Sequence, residues 1–535
     1  MATIAAPIGD KSAGQEPDRV SSRAKHRWFS PERLQVAGIA LGFLALCLRA
    51  AWLRSFWFDE LSTLFVTATP TLRAMFHAIP TDGNPPLYFL LARLSLHLSL
   101  KSELTLRLPA VLAYLGAGLA VYLFVKRNAC HFFALTAMIL FLGAGVHLYA
   151  FEARPYSLLM LFTGIVLCCW QAWCRTRKPI YLGAITLGTV GAICSHQYGV
   201  IYVLAPLAAG EVVRGLRRRR VDWRVTAAVA GGSLTICLTY PPVLRAQKIL
   251  LDAIRACPVF WAHPRLSDLK DYLLMIPYPV PFLVGLAVLF VMVKLALRPD
   301  TGREEIHRTR IDRIPPEDLG AAAALTLILP LMLVVTHLGT NYFQVRYGIG
   351  SAMGISMLAG MLSARFQLRH AKLLAQGVIF YSVAFALIDL WSIPKPKTPH
   401  PWNDPVLQGG DQQEPIVIAS ALQFSPTWWY SDGQMRSRLY YLADLPYAGR
   451  HSDILPEYSL ALEHAYTPMQ MSDYHEFLST HSRFLLYCYG QPRLEWIKQR
   501  LMQSGWHLRL LKSAIRPKSD DDDGQPYREL FEVTR

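Results

Sequence analysis

The chain has 535 residues, 53% hydrophobic and only 17% charged, with a formal charge of +16. A soluble chain of this length divides into about two to four domains and carries ~25% charged residues, so the deficit points to lipid as the solvent. Lys and Arg fall in short clusters between apolar runs, which fits the cytoplasmic loops of a membrane protein and excludes nucleic acid as a partner, since that needs a basic soluble face.

In chain order, residues 1–33 form a polar, basic tail with Arg19, Arg23, Lys25, Arg27 and Arg33. The apolar run 34–53 is too long for a signal-peptide core and has no small-residue cleavage site behind it, so it reads as a retained anchor. Further spans are expected at 107–125, 132–150, 156–173, 180–195, 198–213, 225–243, 280–297, 320–338, 346–364 and 373–391. The run 85–100 opens with Pro85-Pro86 and contains Arg93 and His97. Whether it crosses sets the orientation of everything after it. If it does not cross, nineteen Lys and Arg of the loops after the span 107–125 join the basic N-terminus and seven lie opposite, as the positive-inside rule requires. The run 85–100 is therefore expected to lie at the outer interface, leaving eleven spans, a cytoplasmic N-terminus and an outer C-terminus.

Pro394, Pro396, Pro399 and Pro401 mark a linker. Beyond it, short β-rich runs at 415–419, 438–442, 483–487 and 530–533 alternate with helical stretches such as 494–503. The expected fold class is an all-α polytopic membrane protein of about eleven transmembrane helices with a small C-terminal α/β domain on the outer face. Its parts are a cytoplasmic tail (1–33), a transmembrane domain (34–391, first outer loop 54–106) and an extracytoplasmic domain (392–535). None of the nine Cys forms a CxxC pair, so neither a zinc site nor a disulfide framework is indicated. Cys257 and Cys488 are the two that can both face outward.

With this threading, the polar and ionisable residues gather at the outer ends: Asp59, Glu60, Asp82, Asn84, Glu152, Arg154, His196, Gln197, Arg346 and Tyr347. Each alone has a structural reading as a helix cap, a local ion pair or a snorkelling cation. Their convergence on one side is what speaks for a site. A coupled transporter places its acids near the midplane, whereas an enzyme of the outer interface places them as here. Transfer from a phosphate-linked sugar needs a carboxylate to take or orient the acceptor proton and cations or a metal to hold the departing phosphate. Arg suits the phosphate because its planar fork binds two oxygens at once.

Three segments carry a family resemblance: Trp57-Phe58-Asp59-Glu60, Asp82-Gly83-Asn84-Pro85-Pro86-Leu87-Tyr88 and Arg107-Leu108-Pro109-Ala110. In this order they resemble the first outer loop and second span of GT-C glycosyltransferases, in the branch of protein O-mannosyltransferases and bacterial aminoarabinose transferases. Glu152-Ala153-Arg154-Pro155-Tyr156, Ser195-His196-Gln197-Tyr198-Gly199 and the later Arg346-Tyr347 resemble further segments of the bacterial members. The resemblance implies a polyprenyl-phosphate-linked hexosyl or pentosyl donor, an outer-face acceptor (protein, lipid or polysaccharide), inversion at the anomeric carbon and a bacterial inner membrane. It implies Asp59 as the catalytic carboxylate with Glu60 as its neighbour, and Asp82, Asn84, Glu152, Arg154, Tyr156, His196, Arg346 and Tyr347 as substrate-binding residues. Asn84 stands where the mannosyltransferases have His. A divalent metal is left open, with Glu60, Asp82 and His196 as candidate ligands. Loop 244–279, with Trp261, His263 and Tyr278, and the outer domain are expected to contact sugar and acceptor, unless those aromatics belong to an interfacial belt. The alternatives from other classes are a flippase of a lipid-linked sugar and a non-enzymatic assembly protein.

Overall fold

The structure, a computed structural model, describes residues 30–98, 100–257, 260–277, 314–365, 377, 388, 404–409, 413–452, 454–515 and 526–535. The chain divides into two compact units, 1–43 and 44–535. The described part of the first is the opening of helix α1, Pro31–Leu53, with Pro at the first helical position, where its missing N–H costs nothing. All contacts below lie within the second unit.

Helices follow at α2 (Phe58–Thr67), α3 (Leu72–Asp82), α4 (Leu87–Leu96), α5 (Ser102–Lys126), α6 (His131–Leu142), α7 (Tyr156–Thr176), α8 (Ile180–Ser195), α9 (Gly199–Arg218), α10 (Trp223–Ser233), α11 (Ile236–Ala256), α12 (Pro316–Thr326), α13 (Ile328–Leu338) and α14 (Gly350–Arg365). Among the described residues, α1, α5, α7 and α9 are each long and apolar enough to cross a membrane. The number rises to seven if each of three bent pairs is one span. This is an integral membrane protein. Helix α4 has 10 residues, about 15 Å at 1.5 Å per residue, half the ~30 Å apolar thickness of a bilayer.

Three expected spans are broken. The run 132–150 bends by 73° between α6 and the 3₁₀ turn Gly145–Phe151, 225–243 by 42° between α10 and α11, and 320–338 by 50° between α12 and α13. Two of the breaks have a local cause in the sequence. Gly231-Gly232-Ser233 precede the second. At the third, Pro330 has no N–H for the Thr326 carbonyl four residues back, and that carbonyl accepts instead from Tyr272 Oη at 2.8 Å. The expected span 280–297, Tyr278, and all of the expected span 373–391 except Gly377 and Ile388 lie outside the described residues.

The C-terminal part is an α/β domain around a six-stranded sheet, in the order β3-β2-β1-β4-β6-β5. The strands are β1 (Ile416–Ile418), β2 (Leu439–Ala443), β3 (Met471–Asp473), β4 (Arg483–Cys488), β5 (His507–Ile515) and β6 (Pro526–Thr534). β1 is parallel to β2 and β4, with Val417 facing Tyr440 and Leu486, and β2 is parallel to β3. The β5–β6 hairpin adds antiparallel to β4. All three residues of β1 are buried, as a central parallel strand covered on both faces requires. Helices α15 (Ala421–Tyr430) and α17 (Trp496–Gln503) pack on the sheet, and α16 (Ile454–Glu463) packs between α15 and helices α3 and α11 of the helical part. One apolar core runs from Phe56, Leu61 and Leu106 of the helical part into Phe424, Tyr441 and Trp496 of the sheet domain. Cys257 and Cys488 are buried as thiols and are not bridged, and Cys257 Sγ donates to the Ser452 carbonyl at 3.7 Å.

Candidate active site

Helix α2 begins with Asp59 and Glu60 in its first turn, where carboxylates meet the positive end of the helix dipole. The two take different roles. Glu60 turns inward to Arg107 of α5. Arg107 Nε donates to Glu60 Oε1 and Arg107 Nη2 to Glu60 Oε2, each at 2.6 Å. The rest of the guanidinium is spent on the carbonyls of Ala51 (2.8 Å), Arg54 (2.6 Å) and Ser55 (3.0 Å). Ala153 N donates to Glu60 Oε1 at 2.9 Å. Both side chains have zero exposure. This knot ties the end of α1, the start of α2 and the 152–154 turn to α5.

Asp59 faces the other way. Arg346 Nη1 stands 2.5 Å from Asp59 Oδ2. Arg154 Nη1 donates to the Asp59 carbonyl (3.1 Å), to Thr63 Oγ1 (3.2 Å) and to Asp82 Oδ2 (2.6 Å). Burial raises the Asp59 carboxyl, but the two guanidinium charges and the Arg346 hydrogen bond outweigh it and hold the group below the usual carboxylate range. Arg154 Nε and Arg346 Nε are buried with no acceptor on the protein. The Arg346 guanidinium lies 5.7 Å from the centre of the Tyr156 ring.

Asp82 and Asn84 are placed by a helix–turn–helix junction. Helix α3 ends on Gly83 at φ +86°, a left-handed conformation that glycine adopts without penalty, and Pro85-Pro86 lead into α4, with Pro86 as its N-cap. The turn lets Asn84 Nδ2 donate to Asp82 Oδ1 at 2.6 Å. Gln247 Nε2 of α11 closes the junction by donating to the carbonyls of Pro80 and Thr81 at 3.2 and 3.0 Å. His196 caps α8 in an extended conformation. Its Nδ1 accepts from Tyr198 N at 3.1 Å, which assigns the remaining ring proton to Nε2. Burial, then Arg154 and Arg346, lower its pKa to about 3, so it is neutral. Gly199 ends this turn against α8, where a Cβ would stand 2.2 Å from the Ala192 carbonyl oxygen.

These groups line a cavity of about 130 Å³, well above the ~10–15 Å³ a single water needs. Eight of the ten residues expected from the sequence line it: Asp59, Asp82, Asn84, Arg154, Tyr156, His196, Arg346 and Tyr347. Glu60 and Glu152 are not among the lining residues. Glu60 is held in the Arg107 knot, and Glu152 lies behind it with Oε1 3.8 Å from Arg54 Nη2. Burial raises the Glu152 carboxyl to about 7. Glu60, Asp82 and His196 do not form a ligand set for a metal: Arg107 and Ala153 N take both oxygens of Glu60, and Arg154 holds Asp82. Among the described residues no group of three or more His, Cys, Asp or Glu is placed to hold an ion.

Loop 244–279 and the outer domain were expected at the site only as regions, and their individual residues and the role of Arg107 come from the structure. Arg107 was visible in the motif but not as the partner of Glu60. Val243, Leu244, Gln247, Leu250, Leu251 and Ile254 of α11 form one wall, and Tyr342 joins another. Leu455, Ser459 and Glu463 come from α16 of the sheet domain, and a sequence separation near 400 gives no local signal for them. Trp261 and His263 are absent from the lining.

No family model matches the sequence and no curated protein matches it. A solved structure does, described as ArnT from Cupriavidus metallidurans bound to undecaprenyl phosphate. The match has a TM-score of 0.52 and covers 93% of this chain and 97% of that one, at 12% identity. The chain has the fold of that ArnT. The resemblance read from the sequence motifs is borne out at the level of the fold, including the α/β domain after the helices.

Proposed function

We propose that this protein transfers a sugar from a polyprenyl-phosphate-linked donor to an acceptor at the outer face of the membrane. The observation that carries the reading is the Asp59 carboxylate between two arginines, each of which keeps a buried Nε–H without a protein acceptor. A buried N–H without a partner is costly, and a phosphate oxygen is the acceptor a guanidinium fork fits best. The ArnT of the same fold is described with undecaprenyl phosphate bound, which supports this choice of anion.

In this reading Arg154, Arg346 and the neutral Nε2–H of His196 hold the donor phosphate and neutralise the charge that grows on it as the sugar leaves. Asp59 orients the acceptor hydroxyl for in-line attack on the anomeric carbon, giving inversion, and receives its proton. Free Asp59 is a weak base because Arg346 and Arg154 stabilise its charge. When the phosphate draws the two guanidiniums toward itself, that stabilisation falls and the carboxylate becomes more basic where a proton must be taken up. Asp82 and Asn84 keep Arg154 in place. Glu60 acts by holding the loop through Arg107. In this reading the chain crosses the membrane eleven times between boundaries at 33 and 391, with a cytoplasmic N-terminus and the sheet domain outside.

The test is release of polyprenyl phosphate by purified protein from a panel of short-chain polyprenyl-phosphate sugars, given a crude extract of outer-face acceptors. Release from one donor supports the reading. Lack of release from every donor by folded protein, together with translocation of intact lipid in vesicles, would replace it with the flippase reading.

A further inference from the structure

The sheet domain supplies to the cavity one carboxyl group that the transfer scheme leaves unused. Glu463 ends α16, is 3% exposed and lines the same cavity as Asp59 and Asp82. Ser62 of α2 donates to its Oε1. Its Oε2 is buried with no partner on the protein. Polar contacts on both sides fix the domain at this place. Tyr430 Oη of α15 accepts from Phe56 N at 2.7 Å and donates to Glu103 at 3.0 Å, and Tyr466 Oη meets Thr81 Oγ1 at 2.9 Å. Glu463 is thus a built part of the cavity wall.

The surroundings select the chemistry of its ligand. An anion at Oε2 would meet the neighbouring charges of Asp82 and Asp59, both of which act on Glu463. A cation would have to share the cavity with Arg154 and Arg346. Burial first, then the two aspartates, raise the Glu463 carboxyl to about 8, so at neutral pH it is an uncharged acid with one O–H donor and free acceptor capacity. A neutral hydroxyl, which both donates and accepts, is the group that satisfies it. Ser459 and Gln247 stand in the same lining and offer further hydrogen bonds to a polyhydroxylated ligand.

We propose that Glu463 is a hydrogen-bonding site for a sugar hydroxyl, so that the sheet domain forms part of the substrate-binding surface. The proposal rests on the transferase reading only for the source of that hydroxyl, which is either the donor sugar or a glycosylated acceptor.

The experiment uses the full-length protein in detergent, as wild type, Glu463→Ala and Glu463→Gln. Binding of bare short-chain polyprenyl phosphate and of polyprenyl-phosphate-linked hexoses and pentoses is measured by thermophoresis, and transfer to the pooled acceptor extract is followed in parallel. For a donor-sugar hydroxyl, Glu463→Ala loses at least roughly tenfold in affinity for the preferred sugar-bearing lipid and stays within about twofold for the bare lipid, because a polar site left unpaired discriminates strongly. For an acceptor hydroxyl, both lipids bind as before and transfer falls by roughly tenfold through the acceptor KM. In either case Glu463→Gln, which keeps a donor and an acceptor in place, stays within about threefold of wild type.

Unchanged binding and transfer in Glu463→Ala overturns the proposal. So does an equal loss for bare and sugar-bearing lipids, which would mark general damage to the cavity. A wild type that turns over no donor fails the transferase reading by itself, and the binding comparison still decides for or against Glu463.

Discussion

Arg346 and Asp59 are 287 residues apart in sequence and meet at 2.5 Å, so the last part of the helical region completes a site that the first loop begins. The pair is nearly buried, with side-chain exposures of 12% and 18%. Arg154 reaches the same residue through its backbone and continues to Asp82. Two carboxylates and two guanidiniums balance, and in the proposed transfer an incoming phosphate draws the arginines away from the acids.

Replacing either arginine by lysine keeps the charge and removes the fork. Arg346→Lys and Arg154→Lys are each expected to weaken polyprenyl phosphate binding by roughly tenfold or more, about 1.4 kcal/mol, with little change in thermal unfolding. Titration of purified variants with short-chain polyprenyl phosphate measures this. Wild-type affinity in both would remove the arginines from phosphate recognition.

Glu60 and Arg107 are expected to be needed for folding. Removing one partner of a fully buried pair leaves an uncompensated charge, at a cost of about 3–5 kcal/mol, so Arg107→Ala is expected to lower the unfolding temperature sharply or abolish folded protein. Glu60→Gln keeps an acceptor for Ala153 N and is expected to lose stability and activity together. A Glu60→Gln protein with wild-type stability and no turnover would instead make Glu60 a catalytic group.

Much of this was legible in the sequence, for identifiable reasons. Asp82-Gly83-Asn84-Pro85-Pro86 is readable because a left-handed glycine and two prolines fix a junction locally, and the 10-residue α4 behind it matches the charge argument against a crossing at 85–100. Arg154, His196 and Arg346 were readable because the charge-based threading gathers them at the same outer ends, and they line one cavity. The separate fates of Asp59 and Glu60 were not readable, since adjacent residues on a helix point about 100° apart and only the tertiary position of Arg107 decides which one faces the cavity. The broken spans were hidden because hydropathy does not register a Gly-Gly-Ser bend or the carbonyl freed by Pro330. In the sheet domain, β3 is three residues long and β5 carries a register shift between Leu510 and Lys512 that spoils its alternation.

Gly199→Ala tests whether the His196 turn is set by close packing. A Cβ there meets backbone, the Ala192 carbonyl carbon and oxygen at 2.4 and 2.2 Å, so the turn must shift and His196 with it. Turnover is expected to fall by roughly 100-fold, in line with displacement of a positioned group by about 1 Å, while the circular dichroism of the helices is retained. An active Gly199→Ala enzyme would mean that the placement of His196 is not needed.

Stability is expected to decline toward alkaline pH. Glu152 and Glu463 are raised by burial to about 7 and about 8, so the folded state binds their protons more tightly than the unfolded chain does. Their contribution is complete below the ordinary Glu value of about 4.3 and is lost as pH rises through the folded values. Asp59 is shifted the other way, and its contribution is present above about pH 3.9 and lost only in acid. The unfolding temperature in detergent should therefore fall between about pH 5 and 9, and Glu463→Gln should flatten the upper part of that fall. A rise in the unfolding temperature over the same range contradicts the assignment.

The most direct test is turnover by Asp59→Asn beside wild type, read as release of polyprenyl phosphate from the panel of polyprenyl-phosphate sugars with the acceptor extract present. Asn keeps the shape and removes both the charge and the proton acceptor, so release is expected to fall by at least about 100-fold. Folding should be retained, and bare polyprenyl phosphate should bind at least as tightly, because Arg346 is freed from its partner. Release at the wild-type rate by folded Asp59→Asn would contradict the account at its centre.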